Sequence, residues 1–211
     1  MGQTLETFRG RGIFQPALDQ ALDKLAETRW VHLFPEGAVN LTHCTRMRRF
    51  KWGISRLFLE APKSPVVIPI WLTGFDQVMP EHRRAPRWLP RLGADISVTF
   101  GEPIAQAKLQ PYADLYTQLK ARQDTDIAHH LPALPSAVPN EHLYPNAPAQ
   151  LRPEDSPAYA ALRSHLAALL REELAKLGEE TRKRQGLGPG EGNLVHRTDL
   201  VGRDYKTDVP T

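Results

Sequence analysis

An acid held between a proline and a glycine, with a train of cations behind it, is the stretch of this chain richest in potential chemistry. Glu36 lies in Leu33-Phe34-Pro35-Glu36-Gly37, and Arg46, Arg48, Arg49, Lys51 and Arg56 follow with no acid among them. The apolar run Trp30-Val31-His32-Leu33-Phe34 reads as a short buried strand that Pro35 terminates, so residues 34–37 form a strand-to-loop corner. Corners at the carboxyl ends of strands in α/β sheets collect ligands, because backbone amides and side chains converge there without being buried. The cations make the expected ligand anionic. Glu36 reads either as a member of that site or as a loop acid that caps amides or pairs with an arginine. His32, inside the strand, reads as a packed histidine.

Other chemistries have weaker support. Cys44 is the one cysteine, which excludes an internal disulfide framework, and with His43 it does not complete a usual zinc set. The expectation is no metal and no cofactor. Gly186, Gly188, Gly190 and Gly192 lack the Lys-Ser/Thr of a phosphate loop, and Arg9-Gly10-Arg11-Gly12 is a single copy of an RNA-binding type of repeat. A net charge of +3 and a pI near 9.1 suit phosphate-bearing partners without selecting among nucleic acid, anionic lipid and nucleotide. The amino terminus has neither the apolar core of a signal peptide nor the Arg-rich amphipathic character of a transit peptide. No stretch approaches the roughly 20 apolar residues of a spanning helix.

These residues need elements to position them. A loop with Gly10 and Gly12 leads to a helix over about 15–28, opened by Pro16, with Phe14, Ala17, Leu18, Ala21, Leu22 and Leu25 on one face. A second helix, 52–61, turns Ile54, Leu57, Phe58 and Ala61 inward. Val66 to Leu72 is apolar on both faces, as in a strand covered from two sides, although Pro69 places it at an edge or bulge or splits it. Asp95 to Phe100 alternates as a strand. A helix is expected over 111–123 and a longer amphipathic one from Pro157 to about Arg184, with Tyr159, Leu162, Leu166, Leu169, Leu170, Leu174 and Leu177 in one stripe. The proline-rich stretch between them reads as a linker or insertion, and the glycine-rich end as a disordered tail. The organisation expected is therefore 1–123, a linker at 124–156, a helix at 157–185 packing on the domain, and a tail at 186–211.

Several of these motifs, in this order, resemble the glycerolipid acyltransferases. Phe34-Pro35-Glu36-Gly37, Phe50-Lys51-Trp52-Gly53 and Val67-Ile68-Pro69-Ile70 match that family's phosphate-site motif and the segments after it. Trp30-Val31-His32, Val39-Asn40, Arg49 to Ile54 and the run from Gly74 to Pro80 resemble its tafazzin branch, and Phe8-Arg9-Gly10 resembles its second motif. The resemblance covers about residues 1–120 and the helix at 157–184. It implies an α/β fold, a central β-sheet flanked by helices, of which this chain is the carboxyl-terminal half. It also implies a substrate-phosphate site of Arg9, Glu36, Gly37 and Lys51, supported by Phe34, Pro35, Asn40, Phe50, Gly53 and Pro69. The activity implied is acyl transfer between phospholipids and lysophospholipids, cardiolipin remodelling in the tafazzin branch, with no metal, coenzyme A or nucleic acid, at the periphery of the mitochondrial membrane. Residues 74–92, with Trp88 among arginines, fit either a membrane contact or a buried strand plus loop.

Two departures from the family pattern carry consequences. Family chemistry uses a His-x4-Asp pair in which His deprotonates the acceptor hydroxyl and Asp orients the imidazole. None of the eight histidines here has an Asp five positions on. The catalytic pair is therefore expected outside this chain, which by itself is expected to be inactive, either as a fragment or as a non-catalytic module that binds anionic lipid or nucleic acid. Ala38 and Val39 stand where the family carries a cation, so phosphate charge must be met by Arg9, by Lys51 or by the arginines at 46–49. Arginine's bidentate geometry favours Arg9.

Overall fold

The computed structural model describes residues 4–8, 11–37, 45–78, 89–122 and 157–188. The order of elements is α1 (Pro16–Ala26), α2 (Gly53–Glu60), β1 (Ile70–Thr73), α3 (Phe75–Val78), β2 (Ser97–Phe100), α4 (Gln106–Arg122) and α5 (Pro157–Arg184). The architecture is mixed α/β, as the resemblance implied, and the sheet among the described residues is an antiparallel pair. Trp71 lies opposite Thr99 and Leu72 opposite Val98.

Helix α1 begins at Pro16, whose missing N–H costs nothing in a first turn, and buries Ala17 and Ala21. Helix α2 buries Leu57 and Phe58 as its spacing predicts. Pro69 stands just before β1, which resolves its awkward place in the apolar run: the ladder uses its carbonyl, which accepts from Gly101 N–H at 2.9 Å, and needs no N–H from it. Helix α4 starts at Gln106, five residues before the expected Pro111. A proline this near the start removes only the bond to Ala107, and the earlier turn is built without it. Tyr112, Leu115 and Leu119 of α4 are buried in the core.

Three expectations are corrected. Residues 30–34 form no strand ladder; they run as irregular chain, with Trp30 67% and Phe34 66% exposed. The apolar content that suggested burial is real, but no described strand lies alongside it. Ile70 to Thr73 is not buried on both faces, since only Trp71 is fully enclosed. The alternation of β2 is present but faces the other way, leaving Ile96, Val98 and Phe100 in solvent and turning Ser97 and Thr99 toward the protein. Pairing decides this. Trp71, opposite Thr99, must meet α5, so the partners of Ile70 and Leu72 are left on the far face.

Helix α5 is the middle of the molecule. It packs against α2, α4 and β1. The expected stripe is there, with Leu162 and Leu166 completely enclosed, but Arg163, Ser164, His165, Glu172 and Thr181 on its other sides are buried too. An amphipathic pattern does not forecast this, because the polar side is also covered. Where α5 crosses β1 the residue is Gly178. A Cβ there would lie 2.6 Å from two carbons of the Trp71 ring and 2.8 Å from a third.

Beside α2 a charged cluster replaces part of the anticipated basic surface. Arg56, read from sequence as one of the cations facing a ligand, is buried and pairs with Asp19 and with Glu60 at 2.9 Å, while donating to Ile13 O at 2.8 Å. Desolvation opposes its charge, but the two carboxylates outweigh that and raise its pKa. The Phe14 ring lies between the Arg56 and Arg163 guanidiniums, 4.9 and 5.2 Å from its centroid, an arrangement in which the ring face compensates desolvated cations.

Replacing Gly178 by Ala gains about 1 kcal/mol of helix propensity, but overpacking a filled core costs about 1–3 kcal/mol or more. Contacts this short belong at the upper end, so Gly178→Ala is expected to lower stability by about 1–2 kcal/mol in urea unfolding, the reverse of its effect in an exposed helix.

Candidate functional site

The corner forms without the strand. Gly37 N–H closes a turn on Phe34 O at 3.1 Å, and Gly37 has φ +65°, a conformation that costs an L-residue about 1–2 kcal/mol. Residues 45–51 are irregular chain that returns to it, since Lys51 N–H donates to Pro35 O at 2.7 Å. This bond clamps the two segments together. The Lys51 side chain then lies along Gly37, where a Cβ would sit 3.3 Å from Lys51 Cγ and 3.6 Å from Cε. A glycine at 37 thus permits the backbone turn and leaves room for the lysine stem.

Beneath the corner the two motif segments are anchored in different ways. Phe50 and Met47 are buried in the main core, so residues 46, 48, 49 and 51 are turned outward to varying degrees. Trp52 Nε1 donates to Ser164 Oγ at 2.9 Å and Ser55 Oγ to Arg163 O at 2.6 Å, which pins the start of α2 to α5. Gly53 opens α2 with Leu18 at 3.6 Å from where a Cβ would be, an ordinary contact.

Of the residues expected at the site, Phe34, Pro35, Glu36, Gly37 and Lys51 are brought together, while Phe50 is buried in the main core and Gly53 opens α2. Pro69 serves β1: its ring lies against Gly101. Arg9 and Asn40 lie outside the described residues, as do His43, Cys44 and most of 74–92. No group of three or more metal-type ligands occurs among the described residues.

One cation at the site escaped the sequence reading. Arg171, on α5, is desolvated, which lowers its pKa, while Glu36 first and Glu172 second act to raise it. Its Nη2 donates to Met47 O at 3.3 Å. An arginine in a helix of alternating charge reads as solvated, and no spacing links position 171 to position 36. Arg49 is likewise desolvated and its pKa lowered. On the far side of Glu172, burial and then that carboxylate push the Tyr112 hydroxyl up to about 12.

Residues 9–73, which hold the corner and Lys51, match the Acyltransferase family. The chain is similar to tafazzin of Saccharomyces cerevisiae, 35% identical over 158 residues, 72% of this chain and 39% of the relative. It is also similar to tafazzin of Drosophila melanogaster, 31% identical over 122 residues, 58% of this chain and 29% of the relative. Residues 9–73 are thus an acyltransferase-like segment, and the chain is tafazzin-like in sequence. An N-acylphosphatidylethanolamine synthase of Arabidopsis thaliana is 37% identical over 105 residues, 49% of this chain and 37% of the relative. Against these three relatives the chain spans 29–39% of the curated length. The clamped corner lies inside the segment matched to that family, whereas α5 lies beyond the matched residues 9–73.

His165, next to the Ser164 that holds Trp52, is 8% exposed, and burial lowers its pKa from the usual 6.5. The unfolded chain takes up a proton near pH 6.5 while the folded chain resists it, so the unfolded state binds more protons below that value and stability is lost as pH falls. Urea midpoints are expected to drop as pH is lowered through 6.5 and to level off below the folded pKa, and His165→Gln is expected to flatten that part of the profile.

Proposed function

We propose that this chain supplies the headgroup-binding part of a phospholipid–lysophospholipid acyltransferase of the tafazzin type, acting in cardiolipin remodelling at the periphery of the mitochondrial membrane. The observation that carries the reading is the clamp: Lys51 N–H on Pro35 O, with the lysine stem laid along Gly37, inside the region matched to the family. A lipid phosphate at the corner meets Lys51 and the arginines of 46–49, with Arg9 as the expected bidentate partner. Glu36, itself an anion, serves there by pairing with and orienting a cation.

In the reaction, the hydroxyl oxygen of a lysophospholipid attacks the carbonyl carbon of an acyl ester on a donor phospholipid. The new ester bond forms, the donor's ester C–O bond breaks, and the proton passes from the attacking hydroxyl to the departing alkoxide. This chain contributes binding and orientation, which lower the barrier by fixing reactant geometry. It holds no His-x4-Asp to move the proton, and by itself it is inactive. Among the described residues no helix is long and apolar enough to cross a membrane. Attachment through the basic corner and interfacial aromatics fits that.

With phosphatidylcholine carrying a labelled acyl chain as donor and monolysocardiolipin as acceptor, the purified chain is expected to transfer no label; measurable transfer would show that this chain's own residues suffice for proton movement. The chain is expected to float with vesicles of phosphatidylcholine plus cardiolipin more than with phosphatidylcholine alone, and less so as salt rises. Lys51→Met is expected to weaken the anionic binding about fivefold, the effect of removing about 1 kcal/mol per cation at a membrane surface. Equal flotation with both vesicles would overturn the headgroup reading, and an RNA mobility shift in its place would favour a nucleic-acid module.

A further inference from the structure

We infer that Arg171 of α5 is the counter-charge to Glu36, cancelling the carboxylate at the corner so that the site presents net positive charge to an anionic headgroup. This rests on the headgroup reading above and adds to it a positioning residue from outside the matched family region.

The geometry brings three pieces of chain to one place. Lys51 N–H is bonded to Pro35 O, and Lys51 lies on Gly37, which fixes Glu36 between two residues that touch the lysine's own segment. Met47, four positions before Lys51 in the same segment, offers its carbonyl to Arg171 Nη2 at 3.3 Å. Arg171 therefore docks on the segment whose other end clamps the corner. The Glu36 carboxylate is close enough to favour the charged guanidinium, ahead of Glu172 from the same helix.

The electrostatic need is plain. An acid beside a phosphate repels it, and in a partly desolvated place the repulsion is weakly screened. The corner nevertheless carries Glu36 next to Lys51. Arg171 is mostly withdrawn from water, held by a carbonyl and flanked by Glu36 and Glu172, so it acts on the corner's charge from below while Lys51 stays exposed at the surface. Its fixed position suits a guanidinium, which stays charged where a buried lysine would lose its proton.

This role fixes the sign of a double substitution. Arg171→Met leaves the carboxylates uncompensated and is expected to weaken binding to phosphatidylcholine–cardiolipin vesicles about fivefold; adding Glu36→Gln to it is expected to restore most of that loss. A direct phosphate ligand, or a residue needed only for folding, would give a double variant at least as weak as Arg171→Met, and that result would overturn the inference. So would Arg171→Met binding as the native chain does. Should Arg171→Met fail to fold, Glu36→Gln alone decides: with Arg171 left uncancelled it is expected to tighten anionic binding about fivefold, and unchanged or weaker binding overturns the inference. If the native chain floats equally with neutral and anionic vesicles, the headgroup reading falls and takes this inference with it; if the native chain prefers anionic vesicles and the coupling is missing, only the counter-charge falls.

Discussion

The contact between α5 and the elements around it is the constraint on which the rest of the structure depends. A helix of 28 residues that is covered on nearly all sides must bury its polar residues along with its leucines, and each buried polar group must then find compensation. Much of this arrangement can be read as that compensation. Trp52 and Ser55 of the α2 start bond to Ser164 and to the carbonyl of Arg163; Glu60 meets Arg163 and Arg56; Phe14 lies between the two guanidiniums. Because these bonds are directional, they fix the orientation of α2 and of the segment leading into it. Dispersion and apolar burial between α5 and α4 supply most of the attraction, but they do not choose an orientation in the same way.

The corner inherits its order from this core. Met47 and Phe50 are the buried residues of the segment 45–51, and their burial determines which residues between and after them face out. Lys51 is therefore presented at the surface by the packing of its neighbours, while its backbone N–H holds Pro35. Glu36 is kept in a turn that glycine makes accessible. Charge at this place is not a property of the local sequence alone: Arg56, the last cation of the basic run, is spent on Asp19 and Glu60, and Arg171 arrives from α5.

The sheet has one covered and one open face. Trp71 approaches α5 so closely that only glycine fits at 178, and the pairing of β1 with β2 then directs Val98 and Phe100 to solvent, continuous with Ile96. Ile96, Val98 and Phe100 therefore make the open face of the sheet apolar; Trp30 and Phe34 are exposed as well.

Local physics made much of this molecule legible in the sequence. The helical spacing of Ala17 and Ala21, of Leu57 and Phe58, and of Leu162, Leu166 and Leu169 determined α1, α2 and α5, since a 3.6-residue period admits one buried face whatever it packs on. The Phe34–Gly37 corner and the motifs around it carried the family resemblance, because those residue types depend on short-range turn geometry and on the chemistry they share. Tertiary structure decided what depends on partners distant in sequence. Whether 30–34 becomes a strand depends on a neighbour to bond with; which side of β2 is buried depends on where α5 lies; whether Arg56 faces a ligand or a carboxylate depends on α1 arriving beside it. Arg171 belongs with the corner for the same reason: charge acts through space, and 134 residues of chain lie between it and Glu36.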